Sequence, residues 1–288
     1  MQPEFTRMHV GQRRRLHVLI VSFWLIGVLA SPVGAEPRHD ANFRVTEDTA
    51  DTLPKQAVRV GLFKWQYGVF DSLMVGTYTV PWVVALANFQ LKYRYFDDPH
   101  WSAAIEMGVG RLDVTRLRPF ETHPGDAIIV VSSVEPSLSY RPHDRVVLSA
   151  AIPMSKISVD GTVNTKAFEG VLEGAVDNLQ LTATMGWKVS SELSLWIHGR
   201  YLALQHIYGD TEATYHPDPY TRIVIHADAR TTWLSLGDTW SVLPQAALSF
   251  GSFHVRAGIG YGNWNISPVN FVLPQKGLIP QLDAFFLW

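Results

Sequence analysis

Strict alternation of apolar and polar residues is the feature that most constrains this chain. From Asn178 to Lys188, residues Leu179, Leu181, Ala183, Met185 and Trp187 share one face of an extended segment. Asn178, Gln180, Thr182, Thr184, Gly186 and Lys188 share the other. The pattern recurs where Leu193, Leu195 and Ile197 oppose Ser194, Trp196, His198 and Arg200. Phe89, Leu91 and Tyr93 oppose Gln90, Lys92 and Arg94, while Ile105, Met107 and Val109 oppose Glu106, Gly108 and Gly110. Phe253, Val255 and Ile259 oppose His254, Arg256 and Gly258. Successive side chains of a strand point to opposite faces, so these segments are strands with one apolar and one polar side. A soluble β-sandwich shares this period. However, the segments often reach ten residues, the length of a tilted membrane-crossing strand rather than the usual ~5–6. Their polar faces mix Gly, Ser and Thr with charges of both signs, which suits a narrow lumen.

Composition points the same way. Charged residues make up 17 % of the chain and aromatics 12 %, against a typical charged share of about 25 %. Beyond the N-terminal region no apolar run approaches the ~20 residues of a spanning helix. The remaining structure that can cross lipid is a closed barrel, in which every strand edge is paired. The expected fold is therefore all-β: a closed antiparallel transmembrane β-barrel.

Residues 1–35 form a separate unit. Arg13, Arg14 and Arg15 precede an apolar run from Leu16 to Ala30, and Val33 and Ala35 fit a small-x-small cleavage pattern. A secretory signal cleaved before Glu36 is expected. Setting aside its four Arg and one Glu from the chain's 24 basic and 26 acidic residues leaves a net charge of about −5, so no basic excess points to nucleic acid. The absence of Cys excludes disulfides, thiol nucleophiles, thiolate metal sites and a lipidated cysteine.

The connections alternate in length. Tight turns are expected at Val69–Asp71, Asp97–His100, Arg141–Asp144, Ser190–Glu192 and Gly251–Ser252, with longer connections around 81–86, 115–126, 159–175, 207–221 and 266–278. Short turns at one end and long loops at the other are the asymmetry of outer-membrane barrels, whose short turns and chain ends face the periplasm. Eleven segments can be counted, the first at 57–67. An even strand number then gives 12, with a weak first strand near Phe43–Thr46, or 10 if one segment is not a strand. Residues 36–54 are expected to be a periplasmic lead-in or that first strand, and 55–288 the barrel.

The chain ends in Leu282, Ala284, Phe286 and Trp288 at alternate positions. An aromatic last residue with apolar residues at every second position before it resembles the terminal strand of bacterial outer-membrane β-barrel proteins. The resemblance covers the architecture from about residue 55 onward. It implies that the assembly machinery of that membrane reads this strand, which then pairs with the first strand to close the barrel. The usual final residue is Phe, and Trp288 meets the same aromatic requirement.

Lys92, Arg94, Glu106, Glu135, Lys188, His198, Arg200, His254 and Arg256 are the candidate lumen-lining residues, with Arg141 and Asp283 beside them. Two readings follow: a small passive pore for solutes, or a structural barrel whose lumen is partly filled by paired charges. Small barrels leave an interior just wide enough for side chains, which favours the filled lumen. An outer-membrane lipid hydrolase or acyltransferase is the alternative, built on His198 with Ser194 or on His206, His216, Asp218, His226 and Asp228. These spacings are non-specific, and no catalytic set, metal site or cofactor is assigned. A third possibility is surface attachment through the long loops. The expected partner in every case is the lipid bilayer of the bacterial outer membrane.

Overall fold

A computed structural model describes residues 49–83, 86–113, 125–164, 168–218, 221–233, 239–266 and 271–288. Residues 1–35, and 36–48 with Phe43–Thr46, lie outside the described residues. Fourteen strand segments follow in order: β1 (Val58–Gly61), β2 (Lys64–Phe70), β3 (Leu73–Tyr78), β4 (Leu86–Asp97), β5 (Trp101–Asp113), β6 (Gly125–His143), β7 (Val146–Ala151), β8 (Met154–Asn164), β9 (Phe168–Lys188), β10 (Leu193–Asp218), β11 (Thr221–Trp233), β12 (Trp240–Phe250), β13 (Phe253–Ile266) and β14 (Phe271–Leu287). One helical turn, α1 (Thr79–Val83), separates β3 from β4.

The fourteen segments make twelve strands of one closed antiparallel barrel. β7 and β8 both pair with β6 on one side and β9 on the other, as two halves of one strand broken at Pro153. β11 and β12 both pair with β10, at its far and near halves respectively. The ladder runs continuously from β1 through β13 to β14 and closes where Arg59, Val60 and Gly61 meet Leu287, Phe286 and Phe285.

Two expectations are corrected here. The twelfth strand comes from the expected segment 57–67, which turns at Leu62–Phe63 and is two strands, β1 and β2. The alternation there is too short to show the reversal. The connections expected at 159–175, 207–221 and 266–278 are largely strand, because β8, β9, β10, β11 and β14 extend through them as paired hairpins. These regions lack the apolar–polar alternation of the other segments, yet the backbone ladder forms regardless.

Burial follows the alternation. Leu181, Met185, Trp187, Leu195, Ile197, Leu248, Ile259 and Leu282 are exposed on the outside, whereas Gln180, Thr184, Ser194, Trp196, His198, Ser249 and Asp283 are buried inside. Exposed aromatics gather at the tight-turn end: Phe70, Tyr95, Phe96, Trp101, Trp187, Phe250, Phe286 and Trp288. A register shift between Arg94 and Phe96 turns both Tyr95 and Phe96 outward there. Neighbouring rings touch, with Trp101–Tyr140 at 4.4 Å, Phe253–Phe286 at 5.0 Å and Phe286–Trp288 at 5.6 Å between centroids. Phe89, Trp240 and Tyr261 form a second exposed set, eight to ten residues from the turn-end limits Asp97, Phe250 and Phe253 of their strands. At about 3.3 Å per residue and a tilt near 40°, the two sets stand roughly 20–25 Å apart.

Residues 49–54, the end of the expected lead-in, contain no strand and lie inside the barrel at its turn end, whereas Lys55 and Gln56 after them are exposed. Thr49, Ala50, Thr52 and Leu53 are all buried, and Leu53 and Ala57 pack against Met74 and Leu287. Gly68 makes this passage possible, since a Cβ at that position would come within 1.9 Å of the Pro54 carbonyl oxygen.

Candidate functional site

The inward face carries charge into the barrel interior, where Arg59, Lys64, Lys92 and Arg94 are buried, and buried charges persist only when paired or hydrogen-bonded. They are arranged as a belt around the turn end. Arg59 of β1 meets Asp283 of β14 at 2.7 Å and donates to Gln66 Oε1 at 3.0 Å. The same guanidinium lies 4.0 Å above the Phe285 ring, and the His254 ring stacks on that phenyl with centroids 5.1 Å apart. Lys64 of β2 and Lys92 of β4 share Glu106 of β5, at 3.2 and 3.8 Å.

The N-terminal segment completes this belt. Lys92 Nζ donates to the Thr49 carbonyl at 2.6 Å, and Asp51 pairs with both Arg94, at 3.9 Å, and Arg141. Ser139 Oγ accepts from the Ala50 amide at 2.7 Å, and Asp71 Oδ1 from the Lys55 amide at 2.9 Å. Without Asp51, Arg94 and Arg141 would lose a shared carboxylate in a buried setting, so the belt and the plug depend on each other.

Above the belt lies a cavity of about 450 Å³. Of the sequence-derived candidates, Glu106, Glu135, His198, Arg200 and Arg256 line it. Lys92 and Arg94 are buried in the belt, His254 in the stack with Phe285, and Lys188 is half-buried beside the turn. Arg256 Nε donates to Gln245 Oε1, and Gln245 Nε2 to Gln281 Oε1 at 2.7 Å, a chain of one guanidinium and two amides across β13, β12 and β14.

The hydrolase candidates do not assemble. His198 Nδ1 lies 2.8 Å from Thr184 Oγ1, while Ser194 Oγ accepts the Trp196 indole N–H at 2.9 Å. His198 and Ser194 stand four residues apart on one strand, about 13 Å. The His206 ring lies tilted against Tyr208 with centroids 5.5 Å apart, and His226 faces Glu212 at 4.0 Å, both on the β10–β11 hairpin. The side chains of His216 and Asp218 lie outside the described ones. Among the described residues no three His, Asp or Glu side chains converge as metal ligands would. Ser249 Oγ and His254 Nδ1 do meet at 2.9 Å, but both are buried and the ring is stacked on Phe285. A nucleophile must reach its substrate, so this pair belongs to the packing of the wall.

Arg59, Lys64, Asp51 and Gln245 are functional-site residues that the sequence reading missed. Arg59 and Lys64 were hidden by the unseen β1–β2 reversal. Asp51 had no periodic context. Gln245 carries no charge, although its alternation with Pro244 and Ala246 placed it on a definite face.

No family model matches the chain, and no curated protein matches it. Among solved structures it is similar to the Pseudomonas putida toluene transporter TodX, with 10 % identity, a TM-score of 0.45, and 86 % of this chain covering 71 % of that one. The translocator domain of the autotransporter NalP from Neisseria meningitidis shows 12 % identity, a TM-score of 0.40, and coverage of 79 % and 73 %. The ferric yersiniabactin uptake receptor FyuA from Yersinia pestis shows 8 % identity, a TM-score of 0.37, and coverage of 76 % and 32 %.

Proposed function

We propose that this chain is an outer-membrane β-barrel that spans the bilayer through its apolar outer face and is closed along its axis by its own residues 49–54. Of the two lumen readings, the filled structural barrel is preferred over an open pore, and the cavity above the plug is the place for a small guest. One observation carries this: Lys92 and Arg94 from β4 and Arg141 from β6 converge on the backbone and carboxylate of Thr49–Asp51. The membrane placement is supported by the exposed apolar band between two aromatic sets, the arrangement that suits lipid with a wet interface on each side. The asymmetry of the connections, tight turns at one end and long hairpins at the other, supports a periplasmic position for the tight-turn end.

Planar-bilayer recording of the refolded full chain tests the reading. The wild type is expected to give few or no steady current steps. Asp51→Asn, which weakens the hold of Arg94 and Arg141 on the plug, is expected to give steps of defined size. Steady, ion-selective steps from the wild type that Asp51→Asn leaves unchanged would contradict a closed axis and restore the open pore. Heat-modifiable migration, checked on each sample, shows that silence comes from a folded barrel.

A further inference from the structure

The wall of this barrel is not of even height. A membrane-crossing strand needs about 9–11 residues, yet β1 has 4, β2 has 7 and β3 has 6. Their neighbours, β14 with 17 residues and β4 with 12, stand taller on either side. Among the described residues, β14 pairs with β1 only over Phe285–Leu287, with the Leu62 amide reaching the Ala284 carbonyl at 3.1 Å as the last contact. Above that point the edge from Leu278 to Asp283, about 20 Å of strand, has no pairing strand opposite it among the described residues, and the β1–β2 turn and α1 stand across the cavity from it. The turn and helix are tied to each other, since the Thr79 amide donates to Phe63 O at 3.0 Å and Thr79 Oγ1 to Leu62 O. The 450 Å³ cavity touches both sides of this notch: Phe63, Val80 and Pro81 on one, Ile279, Pro280 and Gln281 on the other.

We infer that the cavity opens sideways through this notch into the membrane and binds a single-chain amphiphile whose head is zwitterionic or uncharged, an inference that rests on the membrane reading above. The edge of β14 explains why the occupant is polar at one end. Backbone groups left facing hydrocarbon are costly, and irregular backbone at membrane depth is tolerated where it lines a wet cavity. The rim explains the apolar end: Leu62, Phe63, Val80 and Leu278 are exposed there. Charge chooses the head. Lys64, Arg200 and Arg256 face Glu106, Glu135 and Asp283 around one cavity, with Gln90, Gln245 and Gln281 between them. Arg59 already holds Asp283, and Lys64 and Lys92 already hold Glu106, so these charges are engaged with one another and the amides between them suit a head that brings no net charge.

The absence of native cysteine gives a clean background for the test. Single cysteines at Ser133, inside the cavity, at Ser149, buried inside on β7, and at Ile197, on the outer wall, each carry a fluorophore in the refolded full chain in phosphatidylcholine vesicles. The probe is a lysophosphocholine with a nitroxide on its acyl chain. Ser133 and Ile197 are expected to be quenched several-fold more than Ser149. Val80→Trp, which fills the rim, is expected to abolish the quenching at Ser133 alone. An alkyl sulfate or alkyl trimethylammonium added in excess is expected to relieve quenching at Ser133 less than an unlabelled phosphocholine does. Quenching at Ile197 with none at Ser133 overturns the sideways opening and leaves the membrane reading intact. No quenching at Ile197 overturns the membrane reading itself. Equal relief by all three competitors overturns the assignment of the head.

Discussion

Trp196 and Gly186 sit opposite each other on β10 and β9, and the indole, 1 % exposed, occupies the space where a side chain on Gly186 would stand. A Cβ added there would lie 2.3 Å from the ring. Gly186→Ala is therefore expected to lower unfolding stability by about 1–3 kcal/mol, the range for overpacking. Gly199→Ala, whose new Cβ meets nothing closer than 3.7 Å, should be neutral or mildly stabilising in the same denaturant titration. A loss of equal size at both sites would remove the steric account. In the turn before β10, the Ser191 hydroxyl donates to Glu192 at 2.6 Å and the Ser190 hydroxyl at 3.1 Å. These bonds, Ser191's first, hold the Glu192 carboxyl below its usual range. Their small stabilisation is present above the ordinary carboxylate pKa and is lost as pH falls through the lowered one. An NMR titration should place the Glu192 midpoint below that of a peptide glutamate, and Ser191→Ala should move it back up. Most individual facings were legible from the sequence, because Leu181, Ile197, His198 and Arg256 sit in long uninterrupted alternation. The partners of His198 and His254 were not, since Thr184 and Ser249 lie across the sheet and register cannot be read from one strand.

Strand-level behaviour separates the two faces. Arg at Leu181 or Ile197, both exposed on the outer wall, is expected to cost roughly 2–4 kcal/mol at midplane depth, whereas Arg at Thr182 should cost much less. Unfolding measurements in lipid vesicles check this, and equal penalties at Leu181 and Thr182 would contradict the facing. The long strands β9 and β10 declare themselves because a dozen residues repeat one pattern. The short ones do not: in β1 and β2 only a few residues alternate before the chain reverses at Leu62–Phe63, and the only mark of the reversal is that the apolar positions change there from even to odd numbers. The outer halves of β8–β11 were hidden for a different reason. Residues such as Asp160, Glu173, Asp210 and Glu212 pair backbone to backbone across the hairpins, and a ladder needs no apolar side chain.

Closure at the scale of the whole molecule joins the two ends of the described chain. β14 pairs with β1, and the segment just before β1 folds back into the space the ring encloses. Twelve strands leave a lumen too wide for wall side chains alone to fill. The plug, the belt and the cavity are three ways of occupying it: backbone at the turn end, paired charge above, and an amide-rich hollow above that. The even strand count was legible as an inference from closure. The plug was not, because Thr49–Pro54 has neither alternation nor helical period and is held by Lys92, Arg94, Ser139 and Arg141, far away in sequence. The most direct test of the closed axis is thiol reactivity in the folded, membrane-inserted full chain, with one cysteine at a time at Ala50, which is 0 % exposed, and at Lys55, which is exposed. The account predicts that a water-soluble maleimide labels Lys55→Cys promptly and Ala50→Cys only after unfolding. Equal labelling of both in the folded barrel would show that residues 49–54 do not fill the lumen, and the closed-axis account would fall.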